Sequence, residues 1–317
     1  MNETSLNSGF AMVFPGQGSQ SVGMLAALAA AFPVVTETFS AASFVLGYDL
    51  WERVQQGPEE LLNQTACTQP AMLAAGVATW RCWQEKTDRV PAMMAGHSLG
   101  EYTALVCAGS LEYEDAIGLV EKRGRYMQNA VPDGQGAMAA ILGLDDEQVH
   151  KLCAEAAQGE VVSAVNFNSP GQVVIAGQAA AVERAMKLAK EAGAKRALPL
   201  PVSVPSHCSL MRPAAEQFAQ DLANTALKLP VIPVLHNVDV TSKSTVEEIR
   251  NVLSAQLYKP VRWVEIIRAM SNEGITRVLE MGPGKVLAGL NKRIEKSMPG
   301  TPVQTAEDLD KVLAELA

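Results

Sequence analysis

The segment 96–100 (Gly-His-Ser-Leu-Gly) holds a serine between two glycines, after a predicted strand and before a predicted helix. A serine on such a tight turn exposes its hydroxyl as a nucleophile, and the glycines remove side chains that would clash across the turn. The helix that follows directs free backbone N–H groups toward a developing oxyanion. The pattern predicts a nucleophile at Ser98. Because Ser98 and Glu101 also match the S-x-x-E capping box, a structural helix cap is the alternative interpretation.

A nucleophilic serine needs a base within hydrogen-bond reach, and the chain has four histidines. His97 adjoins Ser98, but neighbouring side chains on a sharp turn point apart, so we expect His97 to line the entrance to the site. His150 lies among charged residues of a predicted helix and is expected on the surface. His236 ends an apolar strand and is expected to be structural. By elimination, His207 is the best candidate for the base.

Composition excludes several classes of protein. The 317 residues carry 26 Lys and Arg against 34 Asp and Glu, a net charge of -8. Since neutralising phosphates requires a basic face, we expect no nucleic-acid partner. No apolar run approaches the roughly 20 residues that cross a bilayer, and the polar segment 1–8 does not resemble a signal peptide. Five scattered cysteines indicate reduced thiols and no metal site, so we expect a soluble, cytoplasmic protein.

The predicted elements that position these residues alternate between strands and helices. Apolar runs predict strands at 10–14, 90–96, 231–235 and 276–281. One of the intervening helices is predicted to begin near Gln69-Pro70, because proline suits the first helical turn. Strands that alternate with helices are typical of a mostly parallel sheet covered on both faces, which is an α/β fold.

Between residues 132 and 204 the pattern changes. The predicted order there is β-α-β-β-α-β, the ferredoxin-like arrangement, with Ser-Pro-Gly at 169–171 predicting a tight hairpin between its central strands. We therefore predict a small ferredoxin-like subdomain at 132–204. It is inserted into a discontinuous large domain formed by 1–131 and 205–317.

Five segments of the chain together resemble one family. They are 14–20 (Phe-Pro-Gly-Gln-Gly-Ser-Gln), 96–101 (Gly-His-Ser-Leu-Gly-Glu), 172–177 (Gln-Val-Val-Ile-Ala-Gly), 205–207 (Pro-Ser-His) and 281–284 (Met-Gly-Pro-Gly). In this order they resemble the malonyl-CoA:acyl-carrier-protein transacylases of dissociated (type II) fatty acid synthesis. The resemblance extends from about residue 10 to residue 296. It implies an α/β-hydrolase-like large domain with a ferredoxin-like insertion between the serine and the histidine.

The resemblance also implies roles for individual residues. Ser98 would be the nucleophile and His207 its base. The backbone N–H groups of Gln17 and Leu99 would form the oxyanion hole. Arg123 would pair with the free malonyl carboxylate, as its planar, always-charged guanidinium suits.

Two further implications concern the surroundings of the base and the acyl group. The backbone carbonyl of Gln256 would orient His207 in place of the aspartate of a triad, although an aspartate such as Asp115 or Asp239 could also lie nearby. His97 would belong to the substrate-binding residues. Malonyl-CoA and acyl carrier protein would be the partners, CoA the released product, and no cofactor would be needed. The family is typically monomeric, so we expect a monomer.

Three alternatives to this transacylase stay open. A serine hydrolase or thioesterase would use the same turn, but it would need neither Arg123 nor the Pro-Gly-Gln-Gly loop. A trans-acting polyketide acyltransferase would use the same site in another pathway. A non-catalytic docking protein would retain the turn without its chemistry.

The acidic chain must also offer a local basic surface to an acidic carrier protein. We hypothesise that this surface, which would bind either the carrier protein or the CoA phosphates, includes Lys190, Lys195, Arg196, Lys285, Lys292, Arg293 and Lys296.

Overall fold

A computed structural model describes residues 9–202 and 204–316, and the polar segment 1–8 lies outside the described residues. The elements are, in chain order, β1 (Phe10–Phe14), α1 (Ala26–Ala31), α2 (Pro33–Leu46), α3 (Leu50–Gln56), α4 (Glu59–Leu62), α5 (Thr65–Lys86), β2 (Met93–Gly96), α6 (Gly100–Cys107), α7 (Tyr113–Asn129), β3 (Gly136–Leu142), α8 (Asp146–Ala157), β4 (Val162–Ser169), β5 (Gln172–Gln178), α9 (Ala179–Glu191), β6 (Arg196–Pro199), α10 (Arg212–Asn224), β7 (Val234–Leu235), α11 (Val246–Gln256), α12 (Trp263–Asn272), β8 (Arg277–Met281), α13 (Val286–Ile294), β9 (Gly300–Val303) and α14 (Ala306–Leu316). A short 3-10 helix, Ser209–Met211, precedes α10.

The larger sheet has five strands in the order β7-β2-β1-β8-β9, and every neighbouring pair is parallel. All five residues of β1 are buried. Phe10, Met12 and Phe14 join the apolar cluster on one face, whereas Ala11 and Val13 join the cluster on the other. A strand covered on both faces has no polar alternation, which is why β1 is a continuous apolar run. The predicted α/β fold with a parallel sheet is confirmed.

The second sheet has four strands in the order β4-β5-β3-β6, all antiparallel to their neighbours. Its helices α8 and α9 pack on the sheet and share a separate apolar core with it. The order β-α-β-β-α-β agrees with the predicted ferredoxin-like arrangement. These elements run from Gly136 to Pro199, within the segment 132–204.

Helix α5 differs from its prediction. It begins at Thr65 rather than near Gln69, and Pro70 lies inside it as the sixth residue. Proline removes the backbone bond to the carbonyl of Ala66, but α5 is buried along most of its length, and tertiary packing outweighs that local loss. Gln69 is therefore a buried helical residue. Although α5 has 22 residues, no helix within 9–202 and 204–316 is both long and apolar enough to cross a membrane.

Three short elements escape the sequence patterns. Helices α3 and α4 have seven and four residues, too few for a periodic pattern. Strand β9 contains Pro302, which is tolerated because β9 lies at the edge of the sheet. The strand predicted at 231–235 shortens to two residues, Val234 and Leu235.

The turn between β2 and α6 is held by very close backbone contacts. A Cβ atom on Gly96 would lie 1.8 Å from the carbonyl carbon of Gly100, and one on Gly100 would lie 2.0 Å from the carbonyl oxygen of Phe14. Both distances are far below van der Waals contact, so neither position accepts a side chain unless the backbone moves. The predicted reason for the two glycines, clash across the turn, is confirmed.

Gly100→Ala should therefore destabilise the protein, whereas Gly289→Ala should not. Both glycines are helical, but a Cβ atom on Gly289 would meet nothing within 4 Å. We expect Gly100→Ala to lower the free energy of unfolding by about 3 kcal/mol or more through overpacking. Gly289→Ala should raise it by up to about 1 kcal/mol through helix propensity. Urea unfolding measures both, and equal stabilities would contradict the close-contact argument.

Candidate active site

Ser98 occupies a strained turn between β2 and α6. Its φ of 51° lies in the left-handed region, which is costly for a side-chain-bearing residue. The turn is braced by Asn237, whose Oδ1 accepts a hydrogen bond from the Ser98 N–H at 2.7 Å and whose Nδ2 donates to the Gly96 carbonyl at 2.7 Å. The N-cap residue of α6 is Leu99, and no side chain caps the helix. The capping-box interpretation of Ser98 and Glu101 is wrong.

The hydroxyl of Ser98 lies against His207. Ser98 Oγ and His207 Nε2 are 2.8 Å apart, and His207 Nδ1 lies 2.7 Å from the backbone oxygen of Gln256. A carbonyl oxygen only accepts hydrogen bonds, so in the neutral ring Nδ1 carries the proton. Nε2 is then free to accept the proton of the serine hydroxyl, which is the arrangement that general-base activation requires.

The two aspartates considered as partners of the base lie elsewhere. Asp239 pairs with Lys243, and Asp115 lines a surface cavity between α7 and α10. Within residues 9–202 and 204–316, no carboxylate forms a hydrogen bond with His207. A neutral carbonyl therefore takes the place that aspartate has in a Ser-His-Asp triad.

Burial sets the protonation state of His207. The side chain is almost fully buried, which lowers the pKa of His207 to about 3, and the positive charge of Arg123 acts in the same direction. The hydrogen bond to Gln256 opposes the shift only in part. Since the pKa lies well below its ordinary value near 6.5, the ring is neutral at physiological pH and can accept a proton.

Arg123 is buried beside the serine, on helix α7. The residue is only 1 % exposed. Nη1 donates to Oε1 of Gln69 at 2.8 Å, and Nη2 donates to Oε1 of Gln256 at 2.8 Å and to Ser98 Oγ at 3.3 Å. Burial lowers the pKa of Arg123, while Tyr102 and Glu101 act in the opposite direction. Two glutamine side chains thus hold the guanidinium beside the Ser98 hydroxyl.

The Pro-Gly-Gln-Gly loop packs against the serine turn. A Cβ atom on Gly16 would lie 2.4 Å from the backbone oxygen of His97, so the loop and the turn touch backbone to backbone. This contact brings Gln17 to the cavity that contains Ser98. In the described part of the chain, the backbone N–H groups of Gln17 and Leu99 donate to no other residue. Two free N–H donors beside a serine can stabilise an oxyanion.

The three remaining histidines lie apart from the base position. His97 lines the cavity, where its Nε2 is 2.8 Å from Oδ1 of Asn168, and burial lowers the pKa of His97. His150 is exposed on α8. His236 is fully buried, with Nδ1 2.7 Å from Oε1 of Glu101. Each location agrees with the expectation drawn from the sequence.

Sequence reasoning does not predict the site contacts of four residues: Gln69, Glu101, Asn166 and Asn237. A polar residue inside an apolar helix was the available signal for Gln69, but Pro70 led to placing the helix start there. Asn166 lines the cavity from β4, and nothing in the described structure partners its Oδ1. Asn237 follows the short strand β7, where only the tertiary fold brings it to the serine turn.

The cavity itself has a volume of about 340 Å³ and lies between the two sheets' subdomains. Ser98 and Arg123 line it from the parallel-sheet side, whereas Met138 and Leu200 line it from the four-stranded side. No group of three metal-binding side chains occurs among residues 9–202 and 204–316. An α/β fold with a serine turn, a paired histidine and free N–H donors is typical of enzymes that form acyl-serine esters.

Comparison with known proteins identifies the family. The model of the acyl transferase domain family matches residues 11–309. A malonyl CoA-acyl carrier protein transacylase of Escherichia coli K12 is 61% identical over 90% of this chain and 92% of its own length. The transacylase of Haemophilus influenzae is also 61% identical, over 96% of this chain and 97% of its own length. The chain belongs to the malonyl CoA-acyl carrier protein transacylases of the acyl transferase family.

Solved structures agree with this assignment. An acyl carrier protein S-malonyltransferase from Vibrio cholerae matches with a TM-score of 0.94 and 62% identity, over 96% of this chain and 99% of that one. A malonyl-transacylase in complex with a type II polyketide acyl carrier protein matches with a TM-score of 0.96 and 58% identity, over 96% and 99%. The expected fold and family are confirmed.

The low pKa of His207 predicts how acylation of Ser98 depends on pH. His207 must be neutral to accept the serine proton. Because its pKa is lowered to about 3, the ring stays neutral over the whole range from pH 8 to about pH 5. A fluorophosphonate has no carboxylate that titrates, so its labelling rate reports the enzyme alone. We expect this rate, followed by intact mass, to stay flat from pH 8 to about pH 5. A rate that falls with a midpoint near 6.5, as for an unperturbed histidine, would contradict the prediction.

Proposed function

We propose that this chain transfers malonyl from malonyl-CoA to the phosphopantetheine thiol of acyl carrier protein, through a malonyl ester on Ser98. The observation that carries the proposal is Arg123, a buried guanidinium 3.3 Å from the Ser98 hydroxyl. An acyl group with its own carboxylate would satisfy that charge, whereas a plain acyl chain would leave it without an anion. In this role the chain supplies fatty acid synthesis in the cytoplasm as a monomer, with neither cofactor nor metal.

In the first half-reaction His207 acts as the base. Its Nε2 takes the proton of Ser98 while the serine oxygen attacks the thioester carbonyl carbon. The N–H groups of Gln17 and Leu99 donate to the oxygen that becomes negative. The carbon–sulfur bond then breaks, the CoA sulfur takes the proton from His207, and CoA leaves as a thiol. Malonyl remains as an ester on Ser98.

In the second half-reaction the same groups work in reverse. The thiol of the carrier protein's phosphopantetheine gives its proton to His207, and its sulfur attacks the ester carbonyl. The carbon–oxygen bond breaks, and Ser98 recovers the proton from His207. One base therefore serves two thiols in turn, which is a ping-pong mechanism. The Gln256 carbonyl keeps the ring in the tautomer that both halves require.

Three residues complete the proposed acyl site: Arg123, Gln256 and His97. Arg123 holds the malonyl carboxylate, and the side chain of Gln256 holds Arg123. His97 belongs to the wall of the cavity, with its ring fixed by Asn168. A simple serine hydrolase has no use for a buried guanidinium at this position, and for that reason we favour transfer over hydrolysis.

Intact mass after incubation with malonyl-CoA or acetyl-CoA tests the acyl site. Ser98→Ala should abolish labelling. Arg123→Ala should lower the rate of malonyl labelling on the order of 100-fold, because truncating one partner of a buried charge pair is costly, and it should retain acetyl labelling. Arg125→Ala is the matched control, since the Arg125 side chain is 52% exposed on the same helix.

Two results, one from this experiment and one from a turnover assay, would count against the proposal. Malonyl labelling that persists in Ser98→Ala would exclude the serine ester. Release of free malonate from malonyl-CoA at the same rate with and without acyl carrier protein would identify a hydrolase instead.

The carrier protein is proposed to dock on the basic residues near α13 and the α9–β6 turn. All seven hypothesised residues are exposed: Lys190, Lys195, Arg196, Lys285, Lys292, Arg293 and Lys296. Arg293 also donates to Oε1 of Gln172 at 2.8 Å, and so links α13 to β5 of the four-stranded sheet. Exposed charges of this kind act mainly through the rate of encounter.

The double substitution Lys292→Glu with Arg293→Glu should raise the KM for the carrier protein about 10-fold and flatten its dependence on salt. Lys311→Glu is the control, because Lys311 is an exposed residue of α14 and its substitution also replaces a positive charge with a negative one. The transfer rate is followed by the mass of the loaded carrier protein. A higher KM for malonyl-CoA would assign the surface to the CoA phosphates, and no change in either KM would remove the hypothesis.

A further inference from the structure

Glu101 is a carboxylate buried directly behind the serine turn. It lies in α6, and its side chain has no exposed surface. Oε2 accepts hydrogen bonds from the backbone N–H of Asn237 at 2.9 Å and from Nε2 of Gln256 at 2.8 Å. Oε1 lies 2.7 Å from Nδ1 of His236. An ionised carboxylate, which only accepts hydrogen bonds, satisfies all three nitrogen atoms when His236 carries its proton on Nδ1.

Gln256 connects this carboxylate to the acyl site. Its Nε2 donates to Glu101 and to the backbone oxygen of Ser98 at 2.9 Å, so its Oε1 must face the other way, toward Nη2 of Arg123. The backbone oxygen of the same residue holds His207. The amide dipole of Gln256 thus lies between a negative and a positive side chain, with each end toward the opposite charge.

Arg123 lacks a direct anionic partner. Its hydrogen-bond acceptors are the oxygens of Gln69, Gln256 and Ser98, and across residues 9–202 and 204–316 no carboxylate forms an ion pair with it. A buried charge is costly unless an opposite charge compensates it. Glu101 is the buried carboxylate one amide away, and its charge opposes the effect of burial on the pKa of Arg123.

We propose that Glu101 is the counter-charge of Arg123 and, through Gln256, sets how strongly the site prefers an anionic acyl group. Glu101 is a positioning and specificity-determining residue, because it acts through Gln256 and does not touch the substrate. The proposal rests on the proposed function, in which Arg123 receives the malonyl carboxylate.

The charge balance around Ser98 makes a directional prediction. With Glu101 ionised, its charge offsets part of the charge of Arg123 from one amide away, which moderates the preference for an anionic malonyl group over a neutral acetyl group. Without the charge on Glu101, the guanidinium favours the anion more strongly. It also disfavours the imidazolium that forms on His207 during acylation by a neutral acyl group. The other titratable groups that face these residues are His97, His236 and Tyr102.

Glu101→Gln removes this charge while the hydrogen bonds can persist. The amide oxygen of the new side chain can accept from Asn237 and Gln256. Its NH₂ group can donate to Nδ1 of His236 if the ring proton moves to Nε2, which has no partner in the described structure. If Glu101 acted only through its hydrogen bonds, losing them would loosen Arg123 and weaken the preference for malonyl. If Glu101 acts through its charge, losing that charge strengthens the preference for malonyl.

The experiment compares the rates at which malonyl-CoA and acetyl-CoA acylate Ser98, by quenched intact mass. Glu101→Gln should raise the malonyl-to-acetyl ratio about 10-fold, the scale expected for one buried charge at short range. A ratio that is unchanged or lower overturns the proposal. Failure of the wild-type enzyme to form a malonyl adduct would instead reject the proposed function, so the two failures are distinguishable.

Two further variants keep the test decisive. Glu101→Asp retains the charge on a shorter side chain and should keep the malonyl-to-acetyl ratio within about two-fold of wild type. A ten-fold change in this variant would assign the effect to geometry and overturn the proposal. This test stands even if Glu101→Gln does not fold.

Glu280→Gln is the control for an amide in place of a buried carboxylate. Glu280 has no exposed surface and accepts the N–H groups of Leu287 and Ala288, on α13 rather than at the serine turn. It should leave the ratio unchanged.

Discussion

The site depends on a guanidinium held out of water next to a serine hydroxyl. Such a charge is unfavourable in a closed cavity unless oxygens surround it, and the structure surrounds Arg123 with two glutamine oxygens and the hydroxyl itself. Gln69 comes from α5 and Gln256 from the end of α11, so two helices that are far apart in the sequence each supply one hydrogen-bond acceptor to Arg123. An anionic acyl group would complete this shell. In the proposed function, the preference for a carboxylated substrate is a consequence of how the arginine is buried.

The parallel sheet explains why the parts of the site meet. The Pro-Gly-Gln-Gly loop follows β1, the serine turn follows β2, and Asn237 comes two residues after β7. The carboxyl ends of parallel strands lie at one edge of a sheet, where ligand sites of open α/β folds form. Glycines at 16, 96 and 100 allow these loops to touch backbone to backbone. The four-stranded subdomain then closes the cavity from the opposite side.

His207 meets Ser98 after the chain has passed through the four-stranded sheet and its helices. Ser98 and His207 are 109 residues apart, and the whole four-stranded sheet and its two helices lie between them. His207 itself has a left-handed backbone, with a φ of 66°, so both members of the pair sit in conformations that the surrounding structure must enforce. Gln256 then accepts a hydrogen bond from the imidazole with its backbone carbonyl and one from Arg123 with its side chain. In the proposed function, this shared residue links proton transfer to recognition of the acyl group.

The sequence by itself determined the elements whose signals are local. The apolar run of β1, the glycines around Ser98 and the β-α-β-β-α-β order each depend on residues close together in the chain, and the structure has all three. The sequence does not show that α5 begins at Thr65, because proline ordinarily marks the first turn of a helix. In the structure, burial along most of α5 outweighs the hydrogen bond lost at Pro70, so the helix extends to residues before it. Nor does the sequence show Glu101 and Asn237 as supports of the turn. Only the tertiary structure decided those contacts, because they join residues more than 130 positions apart, and no local pattern records a hydrogen bond across that separation.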